Sequence, residues 1–313
     1  MKLISLKIKN YKKFTDKKFL FNSTKKQNTT LITGENASGK TTILDSILWC
    51  LYENKNPHEI IPNNEHNGST DVQVEIVAED NKKQYQITRT QKFYSAKEFE
   101  NSAVEVKCTD GENSHLLYGE DAQKVISKIL PEYIVKYQIC NLEKYRHLCR
   151  ESAKVLPEFI KSLMNDKSLV LNYTSDEIFN LLNEYFSEFL INMHERGECL
   201  KKVYIDEEYN FHMLTHNNVD FRGCYLTNTG LCTYCSLALI FIMIKVYEKV
   251  SNRELFIVIE SPYHPNPEDY IKFSTVLLSQ FSQIINVSDN HLSSYCDTSF
   301  MQEYVSDEYY LEN

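Results

Sequence analysis

Residues 34–41 read Gly-Glu-Asn-Ala-Ser-Gly-Lys-Thr, which fits the pattern G-x-x-x-x-G-K-[ST] at every fixed position. The residues before this segment, 29–33, are rich in β-branched side chains, and residues 41–52 carry apolar side chains at helical spacing. A glycine-rich loop in this context directs backbone N–H groups and the positive end of the next helix at an anion. The sequence therefore predicts a phosphate-binding loop between a strand and a helix.

Each fixed residue of this loop has a chemical reason. Glycine at positions 34 and 39 allows the backbone to fold back on itself, because glycine has no Cβ. Lys40 reaches the β- and γ-phosphates of a nucleotide, and the Thr41 hydroxyl holds Mg²⁺. We expect ATP and Mg²⁺ as cofactors, with contacts from Gly34, Asn36, Ala37, Ser38, Gly39, Lys40, Thr41 and Thr42.

Composition places the chain among ordinary globular proteins, because 42% of its 313 residues are hydrophobic and 25% are charged. The net charge of −9 is uneven, since residues 1–30 carry nine lysines and one aspartate, a charge of +8, and the rest carries −17. A basic arm of this kind can contact nucleic-acid phosphates. The other interpretation, which we favour, is that the lysines cover the solvent face of edge strands.

Nine cysteines and the lack of a secretory signal favour free thiols in a reducing, cytoplasmic compartment. Cys232 and Cys235 form a single C-x-x-C pair, which matches either a zinc half-site or a buried helix; without a second pair we favour the buried helix. The longest apolar stretch, 231–246, is shorter than the ~20 residues of a membrane span. No membrane partner is expected.

The pattern along the chain predicts three segments. The first, 1–120, carries the phosphate-binding loop and several alternating runs that are typical of an antiparallel sheet. The second, 121–200, is helical, with an apolar stripe at i, i+3, i+4 and i+7 spacing between Ile178 and Met193. The third, 201–313, returns to strands and helices, in this order: strand-like 203–214, an apolar helix 231–250, a buried strand 256–259, a helix 268–281, a strand 283–287 and a disordered acidic tail 307–313.

Further motifs stand at both ends of the chain. The opening strand ends in Asn-Tyr-Lys-Lys-Phe at 10–14, the sequence Leu-Thr-Asn-Thr-Gly at 226–230 precedes the apolar helix, and Phe-Ile-Val-Ile-Glu-Ser-Pro stands at 256–262. Together with the phosphate-binding loop, they resemble the ABC-type ATPase heads of the SMC, RecF and DndD group. These ATPases act in DNA repair, chromosome handling and phage defence. The resemblance covers roughly residues 1–52 and 200–290.

The resemblance implies an α/β fold: a P-loop NTPase head of the ABC type, with a mixed sheet, a flanking antiparallel sheet and a short helical lobe. The long coiled coil of SMC proteins is missing, since only 187 positions separate Lys40 from Thr227. The size is closer to that of RecF.

Site residues follow from the same resemblance. Thr227 takes the place of the serine in the family signature Leu-Ser-x-Gly, although Thr229 stands where the glycine belongs and Gly230 comes one place late. Glu260 takes the place of the Walker B aspartate and would hold Mg²⁺ together with Thr41. Ser261 replaces the catalytic glutamate and is a poor base. The catalytic set is therefore Lys40, Glu260 and Ser261.

Weaker candidates surround this set. Gln138 matches the Q-loop position and would contact the nucleotide. The switch region after the last strand offers Ser288, Asp289 and His291. Lys12 or Lys13 would touch the nucleotide, and Tyr11 or Phe14 would stack on its base.

The function that this implies is an ATP-binding, slowly hydrolysing head that forms a homodimer or heterodimer through an ATP sandwich. It would couple this cycle to DNA or other nucleic acid, or to a partner effector chain such as a nuclease, in DNA repair or phage defence. The alternative is a regulatory scaffold subunit that binds ATP with little turnover. A transporter subunit is disfavoured because the 187 positions between Lys40 and Thr227 are too many for a compact transporter-type head and no membrane segment is expected. A small-molecule kinase is disfavoured because it would leave the pattern of residues 226–260 unexplained.

Overall fold

The computed structural model describes residues 1–53, 59–60, 70–95, 98–145, 147–169, 172–193, 200–222, 229–260, 280–289 and 302–312. The chain forms two compact units. The first contains Met1–Ile139, Leu255–Tyr263 and Phe281–Asn313, and the second contains Cys140–Glu254 and His264–Gln280. The three-segment division expected from the sequence remains a prediction.

Runs of strands and runs of helices follow one another along the described residues. In chain order they are β1 (Lys2–Tyr11), β2 (Phe14–Leu20), β3 (Thr29–Gly34), α1 (Lys40–Tyr52), β4 (Thr70–Asp80), β5 (Lys83–Ser95), β6 (Glu98–Phe99), β7 (Ala103–Asp110), β8 (Asn113–Tyr118), α2 (Gly119–Ile129), α3 (Glu132–Gln138), β9 (Ile139–Asn141), α4 (Leu142–Tyr145), a 3₁₀ helix (Leu148–Glu151), α5 (Ser152–Met164), α6 (Ser175–Met193), β10 (Leu200–Ile205), β11 (Phe211–Thr215), β12 (Asp220–Arg222), α7 (Thr229–Ser251), β13 (Phe256–Glu260), β14 (Gln283–Asp289) and β15 (Val305–Leu311).

The first unit contains an antiparallel sheet of seven strands in the order β2-β1-β4-β5-β7-β8, with β6 paired to β5. One face is apolar because alternate residues of each strand point the same way; in β4 the buried side chains are Val72, Val74, Ile76 and Ala78. Helix α1 packs on this face and adds Ile43, Ile47 and Leu51 to the same core. The antiparallel sheet beside the loop, predicted from alternation, is confirmed.

The first unit also contains the strand that precedes the phosphate-binding loop. The second sheet has the order β15-β3-β14-β13-β9, and the pairs β3–β15, β3–β14 and β13–β14 are parallel. Strand β9 lies at the edge where the chain leaves the first unit. Parallel pairing brings the carboxyl ends of β3, β13 and β14 to one edge, where ligand sites of open α/β sheets form. Glu260 ends β13 at this edge.

The side-chain amide of Gln283 joins the two sheets of this unit. Its Oε1 accepts a hydrogen bond from the Leu3 N–H, and its Nε2 donates to the Leu3 carbonyl, both at 2.7 Å. Leu3 lies opposite Ala78 of β4, but β2 ends at Leu20 opposite Ser5, so β2 supplies no partner for the backbone of Leu3. Gln283 is 1% exposed and supplies that partner in the way a strand would.

The acidic tail that the sequence predicts as disordered instead forms β15. Its backbone pairs with β3 from Val305 to Leu311. Two side chains anchor it further: the Asp307 carboxylate accepts hydrogen bonds from the N–H and the amide of Asn22, and the Tyr309 hydroxyl bonds both backbone groups of Leu20. The prediction was wrong because composition reports side-chain polarity, whereas an edge strand is held by its backbone and by one apolar face.

The second unit contains the helices α4 to α7 and the strands β10 to β12, whereas α2 and α3 belong to the first unit. The predicted apolar stripe of α6 is confirmed as far as Phe186, since Ile178, Leu182 and Phe186 are fully buried. Phe186 packs edge-on against Phe211 at 4.9 Å between ring centroids. The side chains of the rest of the stripe, after Phe186, lie outside the described part of the chain. The predicted apolar helix is α7. No helix in the described part of the chain is long and apolar enough to cross a membrane.

The strand-like stretch 203–214 is a hairpin rather than one strand. Strands β10 and β11 pair in antiparallel fashion, and the turn between them is held by Asp206, whose Oδ1 accepts the N–H groups of Glu208 and Asn210. His212 lies between two carboxylates, with Nδ1 2.8 Å from Asp220 and Nε2 2.9 Å from Asp206. Partial burial acts to raise the pKa of Asp206, but hydrogen bonds from His212 and Asn210 outweigh it and hold that pKa below its usual range.

A buried arginine caps the C-terminal end of helix α1. Arg89, 3% exposed, donates from Nε to the Cys50 carbonyl at 2.9 Å and from Nη2 to the Leu51 carbonyl at 3.4 Å. The same guanidinium bonds Ser102 and Gln123, at 3.0 and 2.8 Å. The last carbonyls of a helix have no partner within it, so Arg89 satisfies them and fixes α1 to the antiparallel sheet. Burial lowers its pKa from the usual arginine value.

Replacing this arginine tests its role. Arg89→Leu leaves the two helix carbonyls and Gln123 without their charged donor, and we expect the free energy of unfolding to fall by about 2–4 kcal/mol. Urea denaturation followed by circular dichroism measures it. The control is Lys83→Gln, which removes an exposed ion pair with Asp110 and should leave the urea midpoint unchanged. Equal midpoints for the two variants would contradict the capping role.

Candidate nucleotide site

The loop from Glu35 to Gly39 joins the end of β3 to the start of α1. Its backbone enters the left-handed region twice, at Ala37 (φ 65°) and at Gly39 (φ 102°), which turns the chain sharply around its own carbonyls. Gly39 precedes the helix and gives it no side-chain cap. The first N–H groups of α1 therefore point out of the helix end toward the loop, as an anion site requires.

Close packing explains both glycines of the pattern. A Cβ on Gly34 would lie 2.3 Å from Ser38 Oγ and 2.9 Å from Leu311 Cβ. A Cβ on Gly39 would lie 2.7 Å from the Phe14 ring. The loop is thus held between the hairpin of β1 and β2 on one side and β15 on the other, contacts for which the loop sequence alone gives no signal.

Two ammonium groups, those of Lys40 and Lys13, contact the loop, and a third, that of Lys12, forms an ion pair on α1. Lys40 Nζ donates to the carbonyls of Gly34 and Glu35, at 2.8 and 2.6 Å. Lys13 Nζ donates to the Ala37 carbonyl at 2.8 Å, and Lys12 Nζ pairs with Asp45 of α1 at 2.5 Å. This positive charge, added to that of the helix terminus, favours a polyanion such as a triphosphate.

Two oxygen-bearing side chains that are 219 residues apart in sequence meet beside the loop. The Thr41 hydroxyl donates to Glu260 Oε1 at 2.6 Å. Thr41 stands in the first turn of α1, and Glu260 stands at the carboxyl end of β13. In the sheet, Glu260 lies opposite Val287 of β14, and Val287 lies opposite Ile32 of β3. A hydroxyl and a carboxylate are oxygen ligands of the kind that Mg²⁺ takes, so this pair fits the metal role predicted for it.

The aromatic candidates for base stacking have other positions. Tyr11 is fully buried, and its ring centroid lies 5.5 Å from that of Trp49. The prediction that Tyr11 stacks on a base is therefore wrong. Burial is also the main reason that the pKa of Tyr11 is strongly raised. Phe14 is 5% exposed and lies against Gly39. Hydrophobic packing of the hairpin on α1 uses both rings, whereas Lys13 lies at the loop and Lys12 pairs with Asp45 of α1.

Gln138 ends α3 and is fully buried, and its amide oxygen and nitrogen have no hydrogen-bond partner among the described residues. The hydroxyls of Ser38 and Ser288 are also buried and have no hydrogen-bond partner among the described residues. Ser288 stands opposite Thr33, next to the end of β3. Buried polar atoms without partners are costly, and each such group in a native protein calls for an explanation such as a bound ligand or water.

Several predicted residues lie outside the described part of the chain: Asn228 and the signature residue Thr227, Ser261 and Pro262 after the Walker B-like strand, and His291 of the switch region. Thr229 and Gly230 are described only as the first residues of α7, in the second unit. Their roles stay predictions.

Comparison with known proteins agrees with this geometry. The family AAA_23, described as an AAA domain, matches residues 5–203, which is more than half of the chain. The chain belongs to the AAA_23 family. No curated protein matches it.

Solved structures show which fold this family member has. The SMC head domain from Thermotoga maritima is 18% identical, with a TM-score of 0.53 over 99% of this chain and 94% of that one. An SMC head bound to the C-terminal winged-helix domain of ScpA is 14% identical, with a TM-score of 0.62 over 94% and 92%. RecF bound to ATP is 14% identical, with a TM-score of 0.50 over 92% and 93%. The fold is that of an SMC/RecF-type ABC ATPase head, which confirms the predicted fold class.

Two glycines allow a matched test of the loop. Gly39 and Gly111 both have positive φ, but a Cβ on Gly39 meets Phe14 whereas one on Gly111 meets nothing within 4 Å. We expect Gly111→Ala to lower the free energy of unfolding by about 1–2 kcal/mol through backbone strain alone. Gly39→Ala should lower the free energy of unfolding by more than this. It should also weaken the binding of a fluorescent ATP analogue at least tenfold, a change of about 1.4 kcal/mol in the binding free energy. Unchanged affinity in Gly39→Ala would contradict the assignment of the loop.

Proposed function

We propose that the chain binds MgATP at the loop 34–41, hydrolyses it slowly, and closes into a dimer around two ATP molecules. The observation that carries the proposal is the contact between Thr41 and Glu260 beside the lysine-lined loop. A P-loop strand, the N-terminus of α1 and a hydroxyl–carboxylate pair form one constellation, and each part serves phosphate or Mg²⁺.

The residues divide the work as follows. Lys40 leaves the carbonyls of Gly34 and Glu35 and contacts the β- and γ-phosphates, since a doubly charged phosphate attracts an ammonium group more strongly than carbonyl oxygens do. The N–H groups of the loop and of α1 bind the remaining phosphate oxygens. Lys13, already at the Ala37 carbonyl, adds charge at the mouth of the loop. Nucleotide contact also gives the buried amide of Gln138 a partner.

Magnesium would be held by Thr41 and Glu260, and it would supply positive charge that neutralises the phosphates. Thr41 and Glu260 stand on α1 and β13, so two separate elements would hold the metal. Ser261 follows Glu260 directly and takes the place of the water-activating carboxylate. A neutral hydroxyl is a weak general base, so turnover is slow.

Dimerisation brings the signature-like residues of one subunit, Thr227 among them, to the ATP of the other. ATP then favours the closed dimer by binding across both subunits, and hydrolysis reopens it. The output is control of a partner effector chain or of bound nucleic acid in a cytoplasmic repair or phage-defence system. The SMC head that resembles this chain is bound to a domain of another protein, ScpA, which supports the idea of a protein partner.

The nucleic-acid part of the proposal rests on fewer lysines than the sequence offers. Lys13 is engaged at the loop, Lys12 pairs with Asp45 of α1, and Lys7 lies opposite Glu75 in the sheet register. Exposed lysines of the first thirty residues that remain for phosphate contacts include Lys9, Lys17, Lys18, Lys25 and Lys26. A protein partner is therefore the better supported output.

The principal test is light-scattering mass with and without ATP and Mg²⁺, together with phosphate release. The native chain should double its mass with MgATP and release phosphate slowly. Lys40→Ala should abolish ATP binding and dimerisation, whereas Glu260→Gln should keep binding but raise the Mg²⁺ requirement at least about tenfold. Lys26→Ala, an exposed lysine away from the loop, is the control. A chain that binds no ATP, or a Lys40→Ala variant that behaves as the control, would overturn the proposal.

The second candidate is a regulatory subunit that binds ATP with little turnover, and Ser261 and Thr229 favour it. Ser261→Glu separates the two, because it restores the general base of the family. If phosphate release rises tenfold or more, the site is assembled and lacks only its base. If release stays at background while ATP still binds, the signature or the dimer is deficient and the regulatory role holds. Ser261→Gln, which has a similar size without charge, is the matched control.

A further inference from the structure

The second unit contains a cluster of thiols that the proposed ATPase does not use. Cys149 of the 3₁₀ helix and Cys232 of the first turn of α7 have their sulfur atoms 3.3 Å apart, and both are fully buried. They are separated by 83 residues. Cys235 follows one helical turn after Cys232 and is also buried. The C-x-x-C pair therefore lies in a buried helix, as favoured from the sequence, and the fold adds a third cysteine that the sequence pattern did not connect to it.

The surroundings of the two sulfur atoms favour a reaction between them. The Nδ1 atom of His147, a half-buried residue, lies 3.5 Å from Cys232 Sγ and can take its proton. The backbone is fixed on both sides, since the Cys149 N–H donates to Ser236 Oγ and Ser236 Oγ donates to the Cys232 carbonyl. Sulfur atoms in contact on fixed backbones need little movement to reach the bond length of a disulfide.

We propose that Cys149 and Cys232 form an intrachain disulfide when the protein meets a peroxide. Cys232 transfers its proton to His147 and attacks the peroxide: an S–O bond forms, the O–O bond breaks, and one water leaves after the departing hydroxide takes up that proton. Cys149 then attacks the sulfenic sulfur: the S–S bond forms, the S–O bond breaks, and the hydroxyl leaves with the Cys149 proton as a second water. Two thiols and one hydrogen peroxide thus give one disulfide and two waters.

The order of the two steps follows from the environment of each thiol. Burial raises the pKa of Cys149 to about 12, which disfavours its attack on free peroxide. Cys149 therefore acts second, as the resolving thiol, on a sulfenic sulfur that already lies beside it. Cys232 has the imidazole beside it and attacks first. Because both sulfur atoms are buried, access of the oxidant limits the rate, and the reaction is slower than that of an exposed thiol.

The consequence of this bond rests on the proposed function. The disulfide would fix the 3₁₀ helix Leu148–Glu151 to the first turn of α7, whose first residues, Thr229 and Gly230, are the last two of the signature-like segment 226–230. We expect oxidation to lower ATP-dependent dimerisation and phosphate release, while ATP binding at the loop in the first unit continues. Reduction by a dithiol would restore both.

Peptide mapping of the full chain tests the disulfide without reference to ATP. The reduced protein is treated with hydrogen peroxide, alkylated and digested without reductant, and the expected product is a cross-linked peptide pair that contains Cys149 and Cys232. Cys149→Ser and Cys232→Ser should abolish it, and Cys235→Ser should retain it. Thermal unfolding of each variant confirms that it folds. His147→Asn should slow its formation at least tenfold and flatten the pH dependence of the rate, but leave the end point unchanged.

Three outcomes would overturn the proposal. In the first, Cys149 and Cys232 are both still alkylated after other thiols of the chain are fully oxidised. In the second, the cross-link joins Cys149 to Cys235 instead, and in the third, the purified protein contains stoichiometric zinc that protects the three cysteines from oxidation. If the disulfide forms but phosphate release and dimerisation do not change, the regulatory consequence fails and the modification site stands. If the chain shows no ATPase activity at all, the mapping result still decides whether the site exists.

Discussion

The contact between Thr41 and Glu260 is the interaction on which the site depends. It joins the first turn of α1 to the end of β13, and it exists only because β13, β14 and β3 run parallel with their ends at one level. A shift of one residue in this register would turn the Glu260 side chain to the opposite face of the sheet. The hydroxyl–carboxylate pair is therefore a product of sheet register, and the packing that holds the register also holds the site.

Packing around α1 keeps this contact in place. Arg89 satisfies the carbonyls at the end of the helix, and the apolar face of the antiparallel sheet covers its side. At the other end of α1, Phe14 packs against Gly39 and Leu311 packs against Gly34, so the two side chains enclose the loop. Helix α1 is thereby fixed at both ends by segments from distant parts of the chain, which gives the loop a defined shape before any ligand binds.

The sequence predicted the elements best where local pattern and packing agree. Alternation in 72–76 and the apolar run 256–259 gave β4 and β13, because each pattern leaves one satisfactory way to bury its side chains. It failed for 307–313, where acidic residues lie in an edge strand held by its backbone, and for Tyr11, which packs against Trp49 instead of facing a ligand. In both cases the deciding partner is remote in sequence: β3 for the tail and α1 for the tyrosine.

What the sequence by itself determined is the phosphate-binding loop, since Gly34, Gly39, Lys40 and Thr41 act through local backbone geometry and adjacent side chains. The resemblance of residues 226–230 and 256–262 to ABC-type heads added the fold. Only the tertiary structure decided that Lys13 reaches the loop, that Phe14 covers Gly39, and that Cys149 meets Cys232 across 83 residues. Contacts of this kind depend on how separate elements pack, and a linear pattern carries no record of the distance between them.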